Sequence, residues 1–203
     1  NKFETLEEAV TYARKGDTVT LLNDIDLSAY PYGEYALFDL TDKVLDLNGH
    51  TITSHNFGVI YDGYNYTIKN GNFTCLENKY GIFIGDGLCD FDLNEGIYLE
   101  DLVVSGGVNI FASNKVHLRN VTASTNTATE YYAVFGDEGS EIIIDSGSYT
   151  TPSTKGHNLL DNCGSDDDAS MVVKGGTFIA PEGVGITSSS ANLTIEGGSW
   201  NLD

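Results

Sequence analysis

Basic residues, long apolar runs, methionine, proline and cysteine are all scarce in this chain of 203 residues. Ten Lys and Arg stand against 30 Asp and Glu, which gives a formal net charge of −20. A chain this acidic repels a phosphate backbone, which excludes nucleic acid as a partner, and it repels anionic membrane surfaces for the same reason. No apolar run approaches the roughly 18 residues that a membrane span requires. We therefore expect no membrane insertion in this segment.

The three cysteines, Cys75, Cys89 and Cys163, exclude two further classes. An odd number does not build a disulfide framework, and the lack of a Cys-x-x-Cys pair argues against zinc. We expect buried, inert thiols. The chain does not begin with Met, and it lacks a basic segment followed by an apolar one at its start. The expectation is that it belongs to a longer chain.

Glycine and tyrosine are abundant, with 23 and 12 copies, and a repeat accounts for many of them. The stretches MVVKGGTF (171–178) and LTIEGGSW (193–200) share one pattern of apolar, polar, charged, glycine and aromatic residues. Five related stretches lie upstream, at 44–52, 66–73, 97–104, 116–123 and 142–149. The seven copies recur about every 25 residues when they are aligned on Leu47, Ile68, Leu99, Leu118, Ile144, Val173 and Ile195.

A second series of short apolar strands lies between these copies. It recurs every 23 to 26 residues when it is aligned on Phe38, Tyr61, Ile84, Ile110, Phe135, Leu160 and Ile186. A unit of this size cannot bury its apolar face alone, but stacking on its neighbours does so. The sequence therefore predicts an all-β fold, a right-handed single-stranded parallel β-helix (solenoid) of about eight coils with an N-terminal capping α-helix.

We predict one domain over residues 1–203, with the capping helix in 1–16 and the coils in 17–203. Thr5 and Glu8 have the spacing of a capping box, and Lys15 and Gly16 would end the helix. An apolar stripe at helical spacing would face the first coil. It consists of Leu6, Ala9, Val10 and Ala13.

The alternation within each copy assigns its faces. One apolar pair per copy is predicted to point inward: Leu45 and Leu47, Tyr66 and Ile68, Ile97 and Leu99, Val116 and Leu118, Ile142 and Ile144, Met171 and Val173, Leu193 and Ile195. Beyond the turn, Ile52, Phe73, Tyr149, Phe178 and Trp200 extend this inner stack. The outward row is Asn48, Lys69, Glu100, Arg119, Asp145, Lys174 and Glu196. Its sign alternates from Lys69 onward, which favours cross-strand ion pairs; anion binding by its cations is the alternative.

TLEEAVTYARKGDTVTLLNDIDL (5–27), followed by KVLDLNGHTI (43–52), resembles the opening of pectate-lyase-like repeat modules in large adhesin-like bacterial surface proteins. The later IKNGNF, VKGGTF and IEGGSW resemble the internal coils of such modules. The resemblance covers nearly the whole chain and implies the right-handed parallel β-helix superfamily named after pectate lyase. It specifies a fold better than a function.

The superfamily that this resemblance implies includes enzymes, namely pectate lyases and polygalacturonases. Their motifs are incomplete or out of order here, so we assign no catalytic residue. The expected function is a non-enzymatic adhesive or binding/spacer module of a secreted or cell-surface bacterial protein, with a glycan or a host or cell-surface protein as partner. The alternative is a carbohydrate-active enzyme, a divergent polysaccharide lyase or glycoside hydrolase acting on acidic glycans. The oligomeric state stays open.

Two candidate sites follow from the pattern. Tyrosines crowd the first coils and offer rings to a sugar or a protein; the predicted ligand-binding residues are Tyr30, Tyr32, Tyr35, Tyr61 and Tyr64. Acids follow the second strand of several coils and would form a stacked edge; the predicted metal ligands are Asp39, Asp62, Asp86, Asp137 and Asp161. Oxygen ligands from adjacent coils suit calcium, although Asp is also common in turns. No other cofactor is expected.

Overall fold

The computed structural model describes residues 1–30, 36–55, 59–76, 80–85, 94–110, 114–125, 132–137, 139–151, 158–162, 169–181, 184–188 and 192–202. The predictions for Tyr32, Tyr35, Asp86, Cys89 and Cys163 concern residues outside this set. One short helix, α1 (Leu6–Tyr12), precedes a series of short strands. In the described part of the chain, no helix has the length and apolar character needed to cross a membrane.

Most strands are short because each coil turns a corner after a few residues. In chain order they are β1 (Thr18–Thr20), β2 (Ile25–Asp26), β3 (Ala36–Asp39), β4 (Val44–Asp46), β5 (Thr51–Ser54), β6 (Val59–Asp62), β7 (Thr67–Cys75), β8 (Tyr80–Ile84), β9 (Asn94–Ser105) and β10 (Gly107–Ile110). They continue with β11 (Asn114–Ser124), β12 (Val134–Gly136), β13 (Glu141–Ile144), β14 (Gly147–Thr150), β15 (Asn158–Asn162), β16 (Ser170–Val173), β17 (Thr177–Ile179), β18 (Val184–Ser188), β19 (Asn192–Ile195) and β20 (Ser199–Asn201). The longer strands β7, β9 and β11 continue through a corner over 9, 12 and 11 residues.

Two sheets of parallel strands wind around one core. The larger sheet runs in the order β1-β4-β7-β9-β11-β13-β16-β19, and β2, β5, β14, β17 and β20 attach beside this path. The smaller sheet runs β18-β15-β12-β10-β8-β6-β3. Strands that are neighbours in space therefore come from successive turns of the chain. This arrangement is a parallel β-solenoid, as the repeat predicts.

The register of the larger sheet confirms the first series and corrects its first member. Six of the aligned residues are successive neighbours: Ile68, Leu99, Leu118, Ile144, Val173 and Ile195. The alignment of Leu47 with Ile68 is wrong, because Leu45 lies opposite Ile68. Leu47 is an additional buried residue. It fills the space above Gly71, because a Cβ atom added to Gly71 would lie 2.3 Å from the Leu47 Cβ.

A second inner file confirms the predicted stack beyond the turn. The neighbours across the coils are Ile25, Ile52, Phe73, Val104, Ala123, Tyr149, Phe178 and Trp200. The Tyr149 and Phe178 ring centroids lie 5.3 Å apart, and those of Phe178 and Trp200 lie 4.0 Å apart. Cys75 is buried as a free thiol at the end of β7, which confirms the prediction for this cysteine.

The smaller sheet keeps one spacing over five strands. Its inner neighbours Ile82, Val108, Val134, Leu160 and Ile186 follow one another every 26 residues. The pairing of Ile84 with Ile110 confirms the second series there, but Gly136, not Phe135, lies opposite Ile110. Because side chains alternate between faces, this slip of one residue places Phe135 on the outer face, where its ring stacks on Tyr132 at 5.4 Å.

Residues with left-handed backbone geometry line one corner of the solenoid. Asn70, Asp101 and Asn120 have φ values of 61°, 52° and 52°, and each follows directly on a residue of the outward row. The Nδ2 atom of Asn120 donates to Oδ1 of Asp101 at 2.7 Å. Asn and Asp tolerate this conformation better than other side chains do, so the corner repeats with the same turn chemistry.

The two ends of the solenoid differ. At the N-terminal end α1 buries Leu6 and Val10 against the first coil, as the apolar stripe predicts. Glu8 N donates to Thr5 Oγ1 at 3.1 Å, but the Glu8 carboxylate accepts from Glu4 N and not from Thr5 N. The predicted end at Lys15 and Gly16 is wrong, because the backbone is already extended at Ala13.

At the C-terminal end the last copy keeps the predicted inward direction but is not buried. Leu193 and Ile195 are 37% and 52% exposed, although they stay in register with the buried Met171 and Val173. They point toward the same core as the other copies, but no described strand lies beyond β19 to cover them.

Candidate functional site

Charged side chains form a ladder on the outer face of the larger sheet. The corrected register starts this row at Asp46 instead of Asn48, and Asn48 sits in the turn with a φ of 51°. The row is then Asp46, Lys69, Glu100, Arg119, Asp145, Lys174 and Glu196. Its sign alternates through every member, so that each described strand of this row faces opposite charge on its neighbours.

Ion pairs join several neighbours of this charged ladder. Arg119 Nη1 lies 2.9 Å from Glu100 Oε1, and Lys69 Nζ lies 3.9 Å from Asp46 Oδ2. Beside the row, Lys115 Nζ lies 3.1 Å from Glu141 Oε2 and 3.6 Å from Glu95 Oε1. The basic groups of this face are thus held by carboxylates of adjacent coils.

Asp145 is the centre of the ladder. Its Oδ2 lies 3.0 Å from His117 Nδ1 and 3.2 Å from Arg119 Nε, and its Oδ1 accepts from Lys174 Nζ at 3.1 Å. Burial acts to raise the pKa of Asp145, but the hydrogen bonds from these three neighbours outweigh it and lower the pKa. The carboxylate is therefore ionised at neutral pH and has little capacity to donate a proton there.

An aromatic ring adjoins this centre. Tyr98 stacks on the His117 ring with centroids 4.9 Å apart, and the Arg119 guanidinium lies 4.3 Å from the Tyr98 ring centroid. We call Tyr98, Glu100, His117, Arg119 and Asp145 the Tyr98 cluster. It combines an imidazole oriented by a carboxylate with a cation over a ring. Sequence reasoning found the charges but missed His117, because only the register brings it to Asp145.

The predicted acidic edge is not continuous. Asp39 and Asp62 lie opposite each other, but Asp161 lies opposite Phe135 and Thr187, not opposite Asp137. Asp137 therefore lies two residues beyond the partner of Asp161. Within the described residues, no group of three or more His, Cys, Asp or Glu side chains is placed to hold a metal ion.

The described acids of this edge have other partners. Asp39 Oδ1 accepts from Thr41 N at 2.8 Å, and Asp161 Oδ1 accepts from Thr187 Oγ1 at 2.6 Å. Burial opposes the change at Asp39, but the hydrogen bonds from Thr41 lower its pKa. These contacts are the turn and cross-strand contacts that Asp makes in folded loops.

The predicted tyrosine surface is divided. Tyr61 is 1% exposed, and its ring packs against Phe38 and Phe73 with centroids 5.8 and 5.7 Å away. It therefore belongs to the core and cannot present its ring to a ligand. Tyr64 is 51% exposed and Tyr30 is partly exposed. Tyr30 follows β2 and Tyr64 follows β6 in the chain.

A groove at the N-terminal end was missed by sequence reasoning. It has a volume of about 610 Å³ and lies between the first residues, α1 and the segment that follows β1. Phe3, Tyr12 and Leu22 line it and are 39%, 56% and 57% exposed. The Phe3 and Tyr12 ring centroids lie 5.1 Å apart. The volume is within the range of small-molecule sites. The apolar stripe predicts only the residues of α1 that face the first coil, and Tyr12 is not one of them.

The fold and these sites define the class of protein as a parallel β-solenoid whose larger sheet carries cross-coil ion pairs on its outer face. Comparison with known protein families, with curated proteins and with solved structures finds no match. The class therefore rests on the strand order and register.

Proposed function

We propose that this protein is a non-enzymatic binding and spacer module of a secreted or cell-surface protein, with a glycan or a protein as ligand. The observation that carries the proposal is the charged ladder. Lys115, Arg119 and Lys174 are each held by carboxylates on neighbouring coils. Charges used in this way stabilise and register the stack, which is what a rod of fixed length requires.

The same pairing argues against acid–base chemistry on this face. A general acid or base works best when its pKa lies near the working pH. Although burial acts to raise it, the pKa of Asp145 is lowered, away from neutral pH, by the hydrogen bonds from its three donors. A lowered pKa in a fully engaged carboxylate is the property of a structural ion pair.

Exposed aromatic rings supply the binding part of the proposal. The N-terminal groove offers Phe3 and Tyr12 side by side, and Tyr64 stands on a turn of the second sheet. Such rings offer an apolar face with a polar edge, which suits both sugars and protein surfaces. The resemblance of the N-terminal stretch to adhesin-like repeat modules agrees with a location at the cell surface.

The binding test uses an immobilised panel of neutral and acidic oligosaccharides, with and without calcium. We expect saturable binding to some of them, weaker by about fivefold or more for Tyr12→Ala and unchanged for Tyr64→Ala. The reverse pattern would locate the ligand at the predicted tyrosine surface instead. Absence of binding to every glycan would overturn glycan recognition, and dependence on calcium would support the predicted metal role.

The Tyr98 cluster favours a second candidate, a carbohydrate-active enzyme on acidic glycans. Asp145 orients His117 through Nδ1, and this arrangement is used by imidazole bases. The test is incubation with polygalacturonate and other acidic glycans, with and without calcium, followed by assays for unsaturated products and new reducing ends. Product formation that His117→Ala abolishes would replace the non-enzymatic proposal.

A further inference from the structure

We infer that the C-terminal end of the solenoid, formed by β18, β19 and β20, is a docking surface for a further strand–turn–strand coil carrying a basic residue opposite Glu196. The inference concerns the end of the stack and does not depend on any ligand of the flanks or of the N-terminal groove. It therefore goes beyond the proposed function, and either can fail without the other.

The apolar contacts at this end are made on one side only. Leu193 and Ile195 lie over Met171 and Val173, which are 0% exposed, yet they are 37% and 52% exposed themselves. Every earlier pair in this file is buried between two layers. The last pair thus presents the surface that each internal coil presents to the next one.

Aromatic stacking is also unfinished. Trp200 stacks on Phe178 with ring centroids 4.0 Å apart, and Phe178 is itself covered on both sides by Tyr149 and Trp200. Trp200 remains partly exposed, and Leu202 beside it is 43% exposed. An apolar or aromatic side chain laid over Trp200 would complete this file.

The backbone at this end is open as well. In the described residues, β18, β19 and β20 each pair with one neighbour, namely β15, β16 and β17. Open strand edges present unpaired N–H and C=O groups that accept another strand. The opposite end of the solenoid is covered by α1, which buries Leu6 and Val10.

Charge identifies the occupant. The ladder alternates in sign through seven strands and ends on Glu196, which has no cationic partner among the described residues. A coil that continues the alternation carries Lys or Arg at this place. It also carries two apolar residues before the cation, a glycine turn after it and then an aromatic residue. The chain contains such a segment itself, ASMVVKGGTFIAP (169–181).

This segment supplies the probe, and Trp200 supplies the signal because it is the single tryptophan of the chain. A synthetic peptide of residues 169–181 is titrated into the whole protein up to millimolar concentration, and Trp200 emission is recorded. We expect a saturable shift to shorter wavelength. The same peptide with Lys174→Glu should bind about two- to tenfold more weakly, since a like-charge pair replaces an opposite one.

Two matched variants of the protein locate the effect. Ile195→Lys on the end surface should abolish the shift, whereas Val103→Lys should leave it intact. Val103 is 51% exposed on the flank, so both substitutions alter a half-exposed β-branched residue. Circular dichroism verifies that both variants fold.

Three outcomes would overturn the inference. They are a Trp200 spectrum that the peptide leaves unchanged, equal binding of the Lys174→Glu peptide, and equal loss in the Val103→Lys variant. Trp200 emission that depends on protein concentration without peptide would show that a second copy covers the end instead.

Discussion

Two isoleucines in one file of the larger sheet should respond very differently to the same substitution. Ile144 is 0% exposed in the middle of the stack, whereas Ile195 is 52% exposed at its end. Ile→Ala removes three carbon groups, worth about 0.8 kcal/mol each when buried, or about 2.4 kcal/mol together. At Ile144 the cavity left between two coils raises this loss of unfolding free energy to about 3 to 4 kcal/mol.

At Ile195 the expected loss is smaller for two reasons. Roughly half of the side chain stays in water in the folded protein, so the transfer term falls to about 1 kcal/mol. No cavity forms, because no described strand covers the residue. The expected difference between Ile144→Ala and Ile195→Ala is therefore about 2 to 3 kcal/mol.

The assay is urea unfolding at constant pH, with free energies from linear extrapolation. Far-UV circular dichroism reports on all coils and Trp200 fluorescence reports on the last one, so coincident transitions show whether the coils unfold together. Ile144→Val serves as the mild control, with an expected loss of about 0.5 to 1.5 kcal/mol. Equal losses for the two alanine variants would refute the assignment of an inner file that ends in an open layer.

Four further outcomes can be measured. Although burial raises it, hydrogen bonds from three basic neighbours lower the pKa of Asp145; the resulting stability is present above the unfolded value of about 3.9 and is lost as the pH falls through the folded-state pKa. Asp145→Asn should therefore flatten the fall of the melting temperature below about pH 4. Thr5→Ala removes the N-cap acceptor of α1 and should cost about 1 kcal/mol in urea. Gly147→Ala places a Cβ 2.1 Å from Val121 O at a φ of 138° and should lower the melting temperature, with a cost of at least about 1 to 3 kcal/mol. The buried Cys75 thiol should react with a thiol reagent only after unfolding, as peptide mass spectrometry can verify.

The sequence predicts which residues of each strand face the core, because alternation and repeat length act together. Ile68, Leu99 and Leu118 are found as successive neighbours. The pattern does not determine how coils align when a turn gains residues. An alignment of Leu47 with Ile68 and one of Leu45 with Ile68 differ by two residues, so both keep the same alternation of faces. Only the space above Gly71, which Leu47 fills, decides between the two alignments.

The candidate sites were harder to predict because they depend on register between distant strands. Asp137 and Asp161 are two residues out of register, because Phe135 is the residue that lies opposite Asp161, although both acids follow an apolar strand in the sequence. His117 reaches Asp145 only through the pairing of β11 with β13. Burial of Tyr61 follows from its place opposite Phe38. Its position in the second apolar series already indicates a core residue, whereas the tyrosine-rich composition points to a binding surface.

The alternating ladder has a consequence for how such a rod can change in length. Its true repeating unit is a pair of coils, one acidic and one basic, and not the single coil that the hydrophobic pattern suggests. Deleting the Arg119 coil alone would bring Glu100 beside Asp145, whereas deleting two successive coils restores opposite signs at the junction. Gene duplication or protein engineering should therefore lengthen this rod most readily by two coils at a time. Each such insertion adds about 9.6 Å at the spacing of neighbouring strands.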